Sequence, residues 1–209
     1  RRWLEQPGRP PLAAVAVVAL AGCGSDGGDR SRAAPSGTTA RSYVGTAQGT
    51  AAFVSVVVDD GRALAYVCDG VPGEPVGTTP TIQAWFNGAS DGKAVDVTQA
   101  GGRLQLELTD ADMEGTVTLA DGRSLPVSGR AVVGDAGLYR ADATGSSGKA
   151  VAGWILSANG EQRGGVGGEG SVTKLSGAPV LRLSSPTFSL QGLATARIAK
   201  VGITPIPIP

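Results

Sequence analysis

The chain has 209 residues, a length that favours one domain, and 41% of them are hydrophobic, which is enough to build a core. Eighteen basic residues balance eighteen acidic ones, so charge indicates neither a nucleic-acid partner nor electrostatic binding to a membrane. The absence of histidine from this sequence excludes Ser-His-Asp and Cys-His catalytic arrangements and a zinc site built on imidazole.

The first 22 residues have the layout of a secretory signal peptide. Arg1, Arg2 and Arg9 precede ten consecutive apolar residues, Leu12 to Ala21. As a helix this run would be about 15 Å long, half of the ~30 Å hydrocarbon core, so it is too short to span a bilayer. A basic start, a short apolar run and small residues at its end predict a signal peptide over residues 1–22. The alternative is a core helix that ends in Ala-Gly-Cys-Gly.

The tetrapeptide Leu20-Ala21-Gly22-Cys23 ends this segment and resembles the lipobox of bacterial lipoproteins. The resemblance implies cleavage after Gly22 and a diacylglyceryl group on the sulfur of Cys23, with long acyl chains such as palmitate. It also implies an extracytoplasmic protein that is anchored to the cell membrane by its N-terminal lipid. Four lysines against fourteen arginines resemble the usage of GC-rich genomes such as those of actinobacteria.

Residues 23–41 are predicted to be a flexible tether. From Gly24 to about Arg41 the sequence has no large apolar side chain and is rich in Gly, Ser, Thr and Ala. Such a segment cannot bury enough apolar surface to offset the entropy lost on ordering. We therefore expect it to separate the membrane anchor from a folded body.

The body, residues 42–166, is predicted to be all-β. Turn dipeptides at Asp60-Gly61, Asp121-Gly122 and Asn159-Gly160 separate β-prone runs, and Asn87-Gly88, Asp91-Gly92 and Gly101-Gly102 add further turn signals. The predicted strands are 52–59, 62–68, 81–86, 93–98, 103–109, 114–120, 123–132, 137–144, 149–157 and 161–166. Nine or ten short hairpin-linked strands favour a single meandering antiparallel β-barrel, or a sandwich.

The pattern of apolar residues distinguishes two kinds of strand. Residues 103–108 alternate leucine with polar residues, which predicts one buried face, whereas 53–58 and 151–156 are apolar on nearly both faces and should lie centrally. Residues 56–67 and 117–128 share an Asp-Gly-Arg turn between two runs. This similarity indicates either internal duplication or hairpins with the same turn chemistry.

Residues 167–209 are predicted to be a linker followed by a C-terminal extension. The glycine-rich run GGVGGEGS is typical of a linker, while 180–183 and 196–203 could add strands. The end, residues 204–209, alternates proline with isoleucine and cannot form a regular hydrogen-bonded ladder.

One acidic segment resembles an EF-hand calcium loop. Its candidate ligands are Asp110, Asp112, Glu114 and Asp121, with Gly115 at the sixth position. Glutamate at the fifth position, the short aspartate at the twelfth and strand-like flanks depart from the family pattern. The alternative is a solvated turn, and the prediction is that no metal or cofactor is bound.

Cys68 and the aromatic residues are predicted to fill the core. If Cys23 is acylated, Cys68 has no partner for an intramolecular disulfide, and alternation places it on one face with Leu64 and Tyr66 as a buried, inert thiol. A ligand pocket, if present, is expected at a barrel mouth beside the loop Gly70–Pro80. Its candidate lining residues are Trp85, Trp154 and Tyr66.

These features predict a non-catalytic binding or envelope-structural module. Its partners would be the membrane, through the lipid, and an envelope protein or small ligand that the sequence does not identify, with no nucleic acid. A carboxylate-dependent hydrolase of envelope glycans is the alternative, since two suitably spaced acids suffice for that chemistry. A calcium-stabilised adhesion module is the third hypothesis.

Overall fold

The computed structural model describes residues 40–59, 61–73, 79–146, 148–168, 174–189 and 193–202, all of which belong to one compact unit, Gly37–Pro209. The predicted signal peptide, the lipobox with Cys23 and most of the tether lie outside these ranges. Every regular element within them is a β-strand, and no helix there could span a membrane. The all-β fold class is therefore confirmed.

Eight strands form one antiparallel sheet that nearly closes into a barrel. They lie in the order β4, β3, β2, β1, β8, β7, β6, β5, so neighbours in sequence pair within β1–β4 and within β5–β8, and β1 pairs with β8. Gly61 and Gly122, at φ 79° and 86°, turn the β2–β3 and β7–β8 hairpins as predicted. The strands are β1 Arg41–Ala47, β2 Phe53–Asp59, β3 Arg62–Cys68, β4 Gln83–Ala89, β5 Ala94–Gln99, β6 Gly102–Leu108, β7 Asp112–Leu119 and β8 Ser124–Val132.

Strand β1 was not among the predicted strands, although it lies at the centre of the eight-stranded sheet, between β2 and β8. Tyr43 lies opposite Val56 on one side and Ala131 on the other. Only two residues of this strand, Tyr43 and Ala47, are fully buried, so its apolar signal is weak. Gly45 allows close packing here, because a Cβ atom at this position would lie 2.1 Å from the carbonyl oxygen of Ser128.

Apolar side chains from all eight strands fill the inside of the barrel. Alternation directs Val54, Val56 and Val58 of β2 and Leu104 and Leu106 of β6 into this core, where they are buried. The hydroxyl of Tyr43 reaches the end of the barrel and donates to the carbonyl of Thr109 at 2.6 Å. The interior is thus a packed core along the described strands.

A second antiparallel sheet covers the outer face of β1–β4. Of the ten predicted strands, the last three belong to this sheet and not to the barrel. Its order is β12, β11, β10, β9, β15. The strands are β9 Gly137–Gly145, β10 Gly148–Leu156, β11 Gln162–Gly168, β12 Lys174–Gly177 and β15 Ala199–Lys200. Leu138 and Ile155 pack against Phe53, Val57 and Tyr66 of the barrel.

The C-terminal extension covers the other face of the second sheet. Leu181, Phe188 and Ile198 pack against Trp154 and Ala141. The predicted strand at 180–183 is irregular, while 196–203 contributes two short strands, β15 and β14 Ala196–Arg197, which pairs with β13 Thr187–Phe188. The alternating proline run lies outside the described residues.

Candidate functional site

Six of the aromatic residues predicted to fill the core are divided among three layers. Phe86 lies inside the barrel, Phe53, Tyr66 and Trp85 lie between the barrel and the second sheet, and Tyr139 and Trp154 lie beneath the C-terminal extension. Of the three candidate pocket residues, the fold brings Tyr66 and Trp85 together and places Trp154 on the far side of the second sheet.

Tyr66 and Trp85 form a stack with Arg140 between the two sheets. The ring centroids of Tyr66 and Trp85 are 4.2 Å apart with 29° between their planes, and Cζ of Arg140 lies 5.1 Å from the Trp85 ring centroid. Register explains the pairing of the rings, because Tyr66 is directly opposite Trp85 on adjacent strands. A buried guanidinium over an indole ring is a favourable cation–π arrangement.

Arg140 also forms an ion pair that reaches solvent. Its Nη2 donates to Oδ1 of Asp142 at 2.6 Å and its Nε to Oδ2 at 2.9 Å. The Arg140 side chain is 7% exposed and that of Asp142 is 55% exposed, so the carboxylate stays hydrated while it neutralises the buried cation. Arg140 was not among the site residues predicted from the sequence. The sequence did contain a signal for the buried ion pair, because Leu138, Arg140 and Asp142 are alternate residues and therefore share one face of β9.

Burial strongly affects the ionisation of Tyr66. This side chain is fully buried, and desolvation is the main cause that raises its pKa well above the usual value of 10.0, with the neighbouring Cys68 adding to the effect. Its hydroxyl donates a long hydrogen bond, 3.4 Å, to the carbonyl of Gly165. The phenol is therefore a neutral packing group at ordinary pH.

Glycines of the second sheet make room for this stack. A Cβ atom at Gly153 would lie 2.6 Å from Cζ2 of Trp85, and one at Gly165 would lie 2.7 Å from Oε1 of Gln83. Gly165 lies in β11, within the predicted strand 161–166, and β11 continues through Gly167 and Gly168, which were predicted to begin a linker. Its glycines are needed because the strand passes directly over large side chains of the barrel.

Two buried polar atoms in this layer have no hydrogen-bond partner within the part of the chain that the structure describes. They are Oε1 of Gln83 and Nε1 of Trp85, which are two residues apart on β4. Trp154 differs, because its Nε1 donates to the carbonyl of Pro179 at 2.7 Å. The stack is covered by the second sheet, and its geometry is that of a contact between two layers and not of an open pocket.

The loop predicted to border a pocket instead contacts the second sheet and the C-terminal extension. The carbonyl of Gly70 accepts from the amide of Gly164 at 2.8 Å, and the amide of Gly73 donates to the carbonyl of Ala178 at 3.0 Å. Of this loop, residues 74–78 lie outside the described ranges. Cys68, just before the loop, is fully buried on the face of Leu64 and Tyr66, as predicted.

The structure does not bring the candidate calcium ligands together. Asp110 precedes β7 and forms an ion pair with Arg41 at 3.0 Å, while Asp121 follows β7 and pairs with Arg123 at 2.8 Å. Strand β7 separates them by roughly 25 Å at ~3.3 Å per residue. Among the described residues no group of three or more acidic or cysteine side chains is placed to hold a metal ion. The segment is a strand between two solvated turns.

Two carboxylates that the hydrolase alternative could use lie on the outer face of β5–β8. Glu107 and Glu114 are directly opposite each other on β6 and β7, and both are exposed. None of the described aromatic residues lies on this face. Glu107 and Glu114 therefore do not lie in the aromatic-lined cleft that would distinguish a glycan hydrolase.

Comparison with models of protein families, with curated proteins and with solved structures finds no match to this chain.

Proposed function

We propose that this chain is a lipoprotein, anchored on the extracytoplasmic side of the membrane by acyl groups on Cys23. Its β-body would be a non-catalytic module that binds an envelope component or supports envelope structure. The observation that carries the anchoring proposal is the position of Cys23, which directly follows Leu20-Ala21-Gly22 at the end of a ten-residue apolar run. Two acyl chains bind a membrane stably without a transmembrane helix.

The placement of reactive side chains supports a non-catalytic role. Cys68 and Tyr66 are fully buried between the sheets, so neither is open to a substrate. The described ion pairs of Asp96, Asp110 and Asp121 with arginines lie at the surface. A general acid or nucleophile usually lies inside a cleft, and these exposed carboxylates do not have that environment.

The exposed outer face of β5–β8 is where we expect a partner to contact the body. The second sheet covers the corresponding face of β1–β4, whereas Arg103, Gln105 and Glu107 of β6 stand in solvent. Both signs of charge occur on this face. A polar surface of mixed charge suits a protein or a polar glycan better than an apolar ligand.

The lipid anchor is tested by replacing each cysteine in the natural host. Cys23→Ser is expected to move the protein from the membrane fraction to the soluble fraction and to leave residues 1–22 attached. Mass spectrometry of the parent protein should find a chain that begins at Cys23 and carries a diacylglyceryl group.

Cys68→Ala is the matched control, because it removes the other cysteine and leaves the tetrapeptide unchanged. It should remain acylated in the membrane fraction. A parent protein with a bare thiol at Cys23 and an uncleaved leader would contradict the anchoring proposal.

A further inference from the structure

The barrel is closed differently between β4 and β5 than at any other described strand pair. Each of the other neighbouring pairs holds at least six residues in register, from Arg41↔Val58 in β1–β2 to Thr118↔Ser124 in β7–β8. Between β4 and β5, the described residues show a single isolated bridge, Ser90↔Val95. We call this junction the seam.

Backbone groups face each other across the seam without forming a ladder. The amide of Ser90 donates to the carbonyl of Gly61, so the even-numbered residues of β4 form their backbone hydrogen bonds with β3. Because the bonding direction alternates along a strand, the N–H and C=O groups of Trp85 and Asn87 point towards β5. On the other side, the amide of Leu108 donates to the carbonyl of Lys93 at 2.7 Å, so odd-numbered residues at β5 bond towards β6. By the same alternation, the N–H and C=O groups of Asp96 point towards β4. The seam is therefore a pair of adjoining strand edges.

Two side chains replace part of the missing ladder. Oε1 of Gln99 accepts the amide of Asn87 at 3.1 Å, and Oγ of Ser90 donates to the carbonyl of Ala94 at 2.7 Å. These bonds depend on the rotamers of Gln99 and Ser90, whereas a ladder bond depends only on the backbone. The seam can lose them without separating any other strand pair.

Small residues close the seam on the inside of the barrel. A Cβ atom at Gly88 would lie 2.5 Å from Cγ2 of Val97, and one at Gly101 would lie 2.9 Å from Cβ of Ala84. Gly88 lies within β4 and does not form the turn that the Asn-Gly dipeptide predicts. The contacts that hold the seam shut are largely van der Waals contacts, which are weak individually.

The turn that joins the two strands is better fixed than the seam itself. Oδ1 of Asp91 accepts the amides of Lys93 and Ala94 at 2.7 and 2.8 Å, and Nη2 of Arg41 donates to the carbonyl of Gly92. Gly92 has φ 81°, which suits a tight turn. Separation of β4 from β5 would therefore begin at the far end, where Ala84 meets Gly101, with the turn as the hinge.

We propose that the seam is a lateral gate: β4 and β5 separate reversibly while β3–β4, β5–β6 and the rest of the barrel stay paired. Opening uncovers Phe86, Val97 and Leu104, which form an apolar surface inside the barrel. Local openings occur where the fewest bonds must break, and among the described strand pairs of the barrel the seam has the fewest backbone bonds. The gate is a property of the barrel and does not depend on the lipid anchor.

Native-state thiol labelling tests the gate. Two full-length variants carry Cys23→Ser and Cys68→Ala together with either Val97→Cys, inside the barrel at the seam, or Val56→Cys, inside the barrel on β2. The thiol introduced by Val97→Cys is expected to react at least tenfold faster with a small thiol reagent than the one introduced by Val56→Cys. Its rate should also change little at low urea concentration, because local opening exposes little surface. Equal rates with the same urea dependence would overturn the proposal, since both sites would then open only by global unfolding.

A second variant examines the bond that Gln99 supplies. Gln99→Met, added to the Val97→Cys chain, should increase the labelling rate of that chain severalfold, whereas the same substitution added to the Val56→Cys chain should leave its rate unchanged. Gln105→Met is the control, because Gln105 lies on the exposed outer face of the neighbouring strand β6. A Gln99→Met variant that labels no faster than the Gln105→Met variant would show that the seam is not held by this bond and would count against the gate.

Discussion

Individual residues in the layer between the sheets act through burial and shape. Tyr66, Trp85 and Arg140 stack in order, and the glycines above them have no side chain that could displace the rings. The sequence predicted the two aromatic residues as neighbours of a pocket, because both lie on apolar runs near a long loop. It could not predict that a second sheet covers them, since that contact joins strands that are far apart in the chain.

The ionisation of Tyr66 predicts a loss of stability in alkali. Burial raises the pKa of Tyr66 in the folded chain, so between about pH 10 and that higher value the unfolded chain releases a proton that the folded chain retains. The unfolding free energy should therefore be fully present below about pH 10 and fall as pH rises, by up to about 1.4 kcal/mol per pH unit for this group.

Urea denaturation at pH 9 and pH 11 checks this prediction in the parent and in Tyr66→Phe. The variant should lose less stability between the two pH values. Some dependence should remain, because burial also raises the pKa of Tyr43 and Tyr139. The same pH dependence in both proteins would contradict the assignment.

At the scale of the strands, the number of apolar faces on a strand correctly predicted whether one or both of its faces are covered by other parts of the fold. Residues 53–58 are apolar on both faces because β2 lies between the barrel core and the second sheet, and 151–156 because β10 lies between the barrel and the C-terminal extension. Strict alternation at 103–108 marks a strand with one face in solvent. The sequence did not distinguish β10 as part of another sheet, because both environments bury both faces.

The shared Asp-Gly-Arg turns also find an explanation at this scale. They join β2 to β3 and β7 to β8. Duplication of a four-strand half would repeat the β2–β3 turn at β6–β7 and not at β7–β8. The strand order therefore favours common turn chemistry over duplication.

Contact between the two sheets predicts the effect of a single methyl group. Gly153→Ala should lower the unfolding free energy by about 1–3 kcal/mol, because the new Cβ would overlap Trp85 and Tyr66 and force the strands apart. Chemical denaturation measures the change. Gly202→Ala is the control, since a Cβ there has no atom within 4 Å, and it should change stability by less than about 0.5 kcal/mol. Equal effects of the two substitutions would show that the sheets do not pack as described.

On the scale of the whole molecule, the barrel is covered on one side only. Its outer surface is apolar along β1–β4, where the second sheet packs, and polar along β5–β8. Without the second sheet, the barrel would therefore expose the apolar outer surface of β1–β4 to solvent. Large exposed apolar patches generally lead to association.

Truncation should reveal this dependence. A chain that ends at Val133 retains all eight barrel strands but exposes Phe53, Val57 and Trp85 to solvent. It is expected to aggregate or to elute as oligomers in size-exclusion chromatography, whereas a chain that ends at Gly202 should elute as the full-length protein does. A soluble, monomeric fragment ending at Val133 would contradict the view that the second sheet is required.

The pairing of β1 with β8 has a consequence for the order of events during synthesis. Tyr43 meets Ala131, a residue 88 positions further along the chain. At roughly 5–20 residues per second, the ribosome needs roughly 4 to 18 s to make that interval. During this time one edge of β1 has no partner strand, so the nascent chain must avoid non-native strand pairing until β8 has been synthesised.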